Sequence, residues 1–74
     1  MSYMDFGRAM AAFTERTGAT PGEVALVVVR MTDILDKTEY SLEEATSTLC
    51  RLAALGRSAS QCIEELPVAL NQLN

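Results

Sequence analysis

The segment TPGEVALVVVRMTDILDK, residues 20–37, decides the fold, because it must form either a helix or a buried strand. Its start favours a helix: Thr20 suits the N-cap, Pro21 suits the first helical position, and Glu23 can reach back to the N-cap amide. The run Val24 to Val29 is typical of a strand in composition, since β-branched residues favour extended backbone. The apolar positions nevertheless continue at helical spacing, so we predict a helix over residues 21–37. Its predicted core residues are Val24, Val27, Val28, Met31, Ile34 and Leu35.

Two residues of this helix do not fit its apolar face. At about 100° per residue, Leu26 and Val29 project among polar positions, near Arg30 and Asp33. Another segment or another molecule must therefore cover them. Two interpretations remain open: this helix is the central and most buried one of a bundle, or Ala25, Leu26 and Val29 form a surface for a partner.

The same helix-start signature recurs twice further along the chain. Ser41 is followed three residues later by Glu44, and Ser58 by Gln61, each ahead of an apolar periodic stretch. The predicted helices cover residues 42–55 and 59–72. Pro67 lies inside the second of these and lacks a backbone N–H, so we expect a kink or a break there.

The N-terminal stretch forms a further predicted helix, over residues 3–17. Gly18 follows it, where a helix often ends in the left-handed conformation. The core faces of the three helices outside residues 21–37 are Tyr3, Phe6, Met10, Phe13 and Thr17; Leu42, Ala45, Leu49, Leu52 and Ala53; and Ile63, Leu66, Leu70 and Leu73. The predicted fold class is all-α, a compact bundle of four short helices at about 3–17, 21–37, 42–55 and 59–72, forming a single helical domain over residues 1–74.

Composition narrows the partners that this domain can have. The formal net charge is −4, which favours solubility and opposes binding to nucleic acid or to an anionic membrane. No apolar run is long enough to span a bilayer, so we expect a cytoplasmic protein. A chain of 74 residues buries a thin core, which makes self-association, as a homodimer, an expectation.

The sequence contains little catalytic or metal-binding chemistry. It has no histidine, and its two cysteines, Cys50 and Cys62, are expected to be small buried hydrophobes, although their pairing stays open. The acidic residues cluster in first helical turns, where capping and the helix dipole explain them. We therefore expect a protein that is not an enzyme and that binds no metal and no cofactor.

The remaining interpretations are a protein-binding module and a helix-turn-helix. The third and fourth helices have the length and tight connection of a DNA-binding pair, but the fourth would expose Gln61, Glu64 and Glu65, and the two carboxylates would oppose phosphates. We favour a small acidic regulator, inhibitor or adaptor that binds a protein partner through an apolar helical face. The candidate partner-binding residues are Ala25, Leu26 and Val29 on the second helix and Tyr3, Phe6 and Met10 on the first.

Overall fold

The computed structural model describes residues 3–72, with side chains from Asp5 onward, and within that range it contains four helices and no strand. The helices are α1 (Tyr3–Thr17), α2 (Pro21–Lys37), α3 (Leu42–Ala54) and α4 (Ala59–Gln72). The all-α prediction is confirmed, and so is the choice of helix over strand for residues 21–37. The predicted bounds differ from the observed ones at one position, because Leu55 is the C-cap of α3.

Reciprocal capping boxes start three of the helices. The Thr20 hydroxyl accepts a hydrogen bond from the Glu23 N–H at 3.2 Å, and the Glu23 carboxylate accepts one from the Thr20 N–H at 2.9 Å. The same pair of bonds joins Ser41 to Glu44, and a third pair joins Ser58 to Gln61. Each box satisfies backbone donors that a helix end leaves free, which explains why these boundaries were readable from local sequence.

Two glycines end helices in the left-handed conformation. Gly18, with φ of 69°, follows α1, and Gly56, with φ of 89°, follows α3. After α3, the Arg57 N–H donates to the Leu52 carbonyl at 3.3 Å and the Gly56 N–H donates to the Ala53 carbonyl at 3.0 Å. This hydrogen-bond pattern is a Schellman motif, and it turns the chain at once into α4.

The predicted break at Pro67 does not occur. Pro67 lies inside α4, which continues from Ala59 to Gln72. The proline removes the N–H that would have bonded to the Ile63 carbonyl, so one helical hydrogen bond is lost. Buried Leu66 and Leu70, on either side of Pro67, anchor the helix to the core and outweigh that loss.

The four helices share one hydrophobic core, and α3 lies at its centre. Its predicted residues Leu49, Leu52 and Ala53 are buried, and α3 packs against each of the other three helices. The interpretation of α2 as the most buried helix is wrong, because α2 lies at the edge of the bundle and packs mainly against α4. The buried apolar residues are Met10, Phe13, Val27, Met31, Ile34, Ala45, Leu49, Leu52, Ala53, Ala59, Cys62, Leu66 and Leu70.

Polar groups in and around this core were not anticipated. Thr46 and Thr48 are each 2% exposed, and their hydroxyls have no hydrogen-bond partner. By contrast, the Tyr40 hydroxyl donates to the Leu70 carbonyl at 3.0 Å, which ties the α2–α3 connection to the end of α4. Leu73, the last predicted core residue of the fourth helix, lies outside the described residues.

Candidate functional site

One side of α2 is apolar and faces away from the bundle. We call it the outer face of α2 and define it by Ala25, Leu26, Val28, Val29 and Thr32, all of which are exposed. The exposed fractions are 59% for Leu26, 38% for Val28 and 64% for Val29. Leu26 and Val29 thus lie one helical turn apart, on the side away from the buried residues of α2. Val28 lies at the margin between the two sides.

The hydroxyl of Thr32, the polar group within this face, is hydrogen-bonded within α2. The Thr32 hydroxyl donates to the Val28 carbonyl at 2.8 Å, so it offers no free donor to solvent. Charged residues border the face: the Lys37 ammonium lies 2.8 Å from the Asp33 carboxylate, and Asp36 is exposed. The outer face of α2 is therefore an apolar strip with a charged end toward the C-terminus of the helix.

A groove runs along one edge of the strip. It is lined by Leu26, Val29, Arg30 and Asp33 from α2 and by Ile63 from α4. Ile63 is partly buried and packs against the core, so it forms a fixed apolar wall beside Leu26 and Val29. The strip consequently has a depression along one edge, into which the side chains of another molecule can insert.

The structure decides between the two interpretations left open for α2. Leu26 and Val29 are not covered by any of the other described helices, so the interpretation of α2 as the central helix is wrong. The prediction that Val28 belongs to the core is also wrong, because this residue lies at the margin of the buried side and is partly exposed. The binding role predicted for Ala25, Leu26 and Val29 stays a prediction.

The second predicted surface, on α1, is not formed in the same way. Met10 is 8% exposed and belongs to the core, so it cannot serve as a surface contact in this fold. Phe6 is partly buried and packs against the core. The side chain of Tyr3 lies outside the described part of the chain. Of the two α1 candidates whose side chains are described, only Phe6 is partly exposed.

Two other large apolar residues are exposed, but each stands apart from the outer face of α2. Leu55 is 62% exposed at the C-cap of α3, and Val68 is 58% exposed on α4. One helical turn before Val68 lies the exposed Glu64, and one turn after it lie Asn71 and Gln72. Single exposed apolar residues are normal in globular proteins, whereas a contiguous set is informative.

The cysteines are free thiols with little tendency to ionise. Burial raises the pKa of Cys62, and the nearby carboxylate of Glu65 raises it further. Burial likewise raises the pKa of Cys50, with a smaller opposing effect from Arg16. A thiol with a raised pKa is a poor nucleophile near neutral pH. Cys62 is buried, as predicted, whereas Cys50 is only partly buried.

Among residues 3–72, no group of His, Cys, Asp and Glu side chains is placed to hold a metal ion. None of the helices in that range is both long enough and apolar enough to cross a membrane.

The α3–α4 pair carries the alternative DNA-binding hypothesis. The two helices pack closely across a short turn, as that hypothesis requires. Gln61 and Glu64 are exposed on α4, and the Arg57 guanidinium lies 3.2 Å from the Glu65 carboxylate. The one basic residue in the turn is thus already paired with an acid, which lowers the positive charge available to phosphates.

No family model, curated protein or solved structure matches the chain.

Proposed function

We propose that this protein is a non-enzymatic protein-binding module, a small acidic regulator, inhibitor or adaptor, and that its docking surface is the outer face of α2. The observation that carries the proposal is the exposure of Leu26, Val28 and Val29 together on one helix. Leaving such side chains in water forgoes roughly 25 cal/mol for each Å² of apolar surface, which a bound partner would recover.

The character of the surface indicates how a partner would bind. Helices commonly recognise apolar strips by placing side chains at helical spacing into them, and the groove beside Ile63 offers room for such side chains. Asp36 at one end of the strip favours a positive charge on the partner at that position. The mechanism is steric: binding covers a surface of the partner protein and blocks it, or holds the partner beside another protein.

DNA binding through α3 and α4 has weaker support. It would require basic or amide side chains that face the bases. Gln61 is exposed on α4, but its amide oxygen already accepts a hydrogen bond from the Ser58 N–H. The exposed Glu64 and the paired Arg57 leave little positive charge on this surface. No exposed feature of α4 is left unexplained by an ordinary solvated surface.

A site-specific photo-crosslinking experiment tests the proposal. A photoreactive amino acid replaces Ala25 on the outer face of α2 in one variant, and exposed Glu64 on α4 in a control variant, both expressed in the native cell. We expect a discrete crosslinked protein at Ala25 and none at Glu64. Mass spectrometry then identifies whether the product contains a second copy or another protein.

A second pair of variants tests whether the apolar strip causes the crosslink. Leu26→Asp with Val29→Asp should abolish it, while Leu55→Asp with Val68→Asp, which adds the same charge at exposed apolar positions elsewhere, should leave it intact. Circular dichroism confirms that both pairs are folded. Equal crosslinking at Ala25 and Glu64, or equal loss in both double variants, would contradict the proposal.

A further inference from the structure

We infer that the partner of the outer face of α2 is the same face of a second copy, with the two α2 helices packed antiparallel around a two-fold axis at Val29. This inference rests on the proposed function and adds to it the identity and orientation of the partner.

The arrangement of the face suits a two-fold axis. Exposed positions occur three and seven residues on either side of Val29: Leu26 and Thr32, then Gly22 and Asp36. In an antiparallel pair each of these positions meets the one at equal distance on the opposite side. Leu26 then meets Thr32 of the other copy, and Gly22 meets Asp36. A two-fold interface requires such self-complementarity.

Gly22 is exposed and lies where the antiparallel arrangement brings Asp36 of the second copy. Its φ is not positive, and a Cβ atom added to it would contact only the Thr20 hydroxyl oxygen, at 3.9 Å. A glycine in a helix is less stable than alanine by roughly 0.5–1 kcal/mol. In the antiparallel pair the missing side chain leaves room for the Asp36 side chain of the second copy.

Charge complementarity selects the antiparallel orientation. Asp36 of one copy lies against the first turn of α2 of the other, where the helix dipole is positive and attracts a carboxylate. The capping box at this end engages the N–H groups of Thr20 and Glu23, and among the described residues the Gly22 N–H has no hydrogen-bond partner. A parallel pair would instead place Asp36 against Asp36 and Asp33 near Asp33, which like-charge repulsion opposes.

The size of the face sets the expected strength. The 17 residues of α2 span about 25 Å, and a helix face is about 10 Å wide. This footprint is smaller than the roughly 800 Å² per partner of a stable interface. The dimer should therefore be weak, with a Kd in the range from about 10 µM to about 1 mM.

Sedimentation equilibrium from about 5 µM to about 2 mM measures this association. Two matched variants test the contact with Asp36. Gly22→Glu and Gly7→Glu each add one negative charge at a helical glycine where a Cβ meets no backbone atom, so both should fold. We expect the Kd of Gly22→Glu to rise at least about tenfold, since its carboxylate faces Asp36 of the other copy, while Gly7→Glu leaves it unchanged.

Charge reversal then tests orientation. Asp36→Lys combined with Gly22→Glu should return the Kd to within about threefold of the original, because the two introduced charges attract across an antiparallel interface. In a parallel pair these residues are a helix length apart, so the absence of rescue would overturn the antiparallel arrangement.

Two further outcomes overturn the inference and separate it from the proposed function. A chain that is monomeric at all concentrations, yet forms a crosslink from Ala25 to a different protein, excludes the second copy and keeps the docking surface. A monomeric chain without any crosslink from Ala25 excludes both. Equal weakening by Gly22→Glu and Gly7→Glu would show that net charge, rather than contact with Asp36, governs the association.

Discussion

Helices α2 and α3 differ in a way that their sequences do not suggest. α2 contains the longest apolar run of the chain, Val24 to Val29, yet its buried residues are three: Val27, Met31 and Ile34. α3 is less apolar in sequence and has six buried residues, two of which are threonines. The difference comes from position, because α3 is contacted by helices on several sides and α2 by helices on one.

This comparison shows that apolar content and burial are separate properties in a small bundle. A central helix is covered around most of its circumference, so even polar side chains at its margins become buried. A peripheral helix is covered on one stripe, so additional apolar residues remain in water. The surplus on α2 is the feature on which we base the proposed docking surface, whereas the buried threonines of α3 follow from its central position.

The largest expected effect separates the two helices by stability. Leu49→Ala removes a side chain that is 0% exposed at the centre of α3, and we expect it to lower the free energy of unfolding by about 3 kcal/mol. Val29→Ala removes a similar apolar group from the outer face of α2, and should change the free energy by less than about 0.5 kcal/mol. Urea denaturation of dilute protein measures both; a comparable loss in the two variants would show that α2 is covered within the monomer.

A smaller effect of opposite sign is expected at the buried threonines. The Thr46 and Thr48 hydroxyls are buried without a hydrogen-bond partner, so Thr46→Val and Thr48→Val should each stabilise the fold by roughly 1 kcal/mol. Thr14→Val is the matched control, because the Thr14 hydroxyl donates to the Met10 carbonyl at 2.7 Å and its removal should give no gain. Midpoints of thermal unfolding compare the three variants, and an equal shift in all of them would contradict the assignment.

The helix boundaries could be predicted because their causes are local. Each capping box lies within four consecutive residues, such as Ser41 to Glu44. The end of α3 is also set locally, by the glycine that follows it. Of the two outcomes predicted at Pro67, a kink or a break, the break does not occur, because contacts of Leu66 and Leu70 with residues distant in sequence outweigh the local cost of the proline.

The candidate site was only partly readable from the sequence. Helical periodicity shows on which side of a helix the buried stripe lies, and on α2 it placed Leu26 and Val29 outside that stripe. It does not give the width of the stripe, which depends on how many helices are neighbours. Val28, predicted to be in the core, lies at such a margin and is partly exposed. Thr48, for which the pattern gave no prediction, lies beside the stripe of α3 and is buried.

The smallest expected effect concerns how α2 is held at its start. Hydrogen bonds from the Thr20 backbone and side chain lower the pKa of Glu23, with a minor contribution from Ser60. A carboxylate whose pKa is lowered in the folded state stabilises the fold at any pH above its ordinary pKa of 4.5. This contribution disappears as the pH falls through the folded-state pKa.

Glu23→Gln keeps an acceptor for the Thr20 N–H and removes the charge, so it isolates this titration. We expect the variant to unfold at a slightly lower temperature than the original at pH 7, and the difference to vanish on acidification below 4.5, since a protonated Glu23 resembles glutamine. Other acids titrate in both proteins and cancel in the comparison. A difference in unfolding temperature that is constant from pH 7 to acid would mean that the charge of Glu23 contributes nothing to the start of α2, and that Thr20 and Pro21 set it alone.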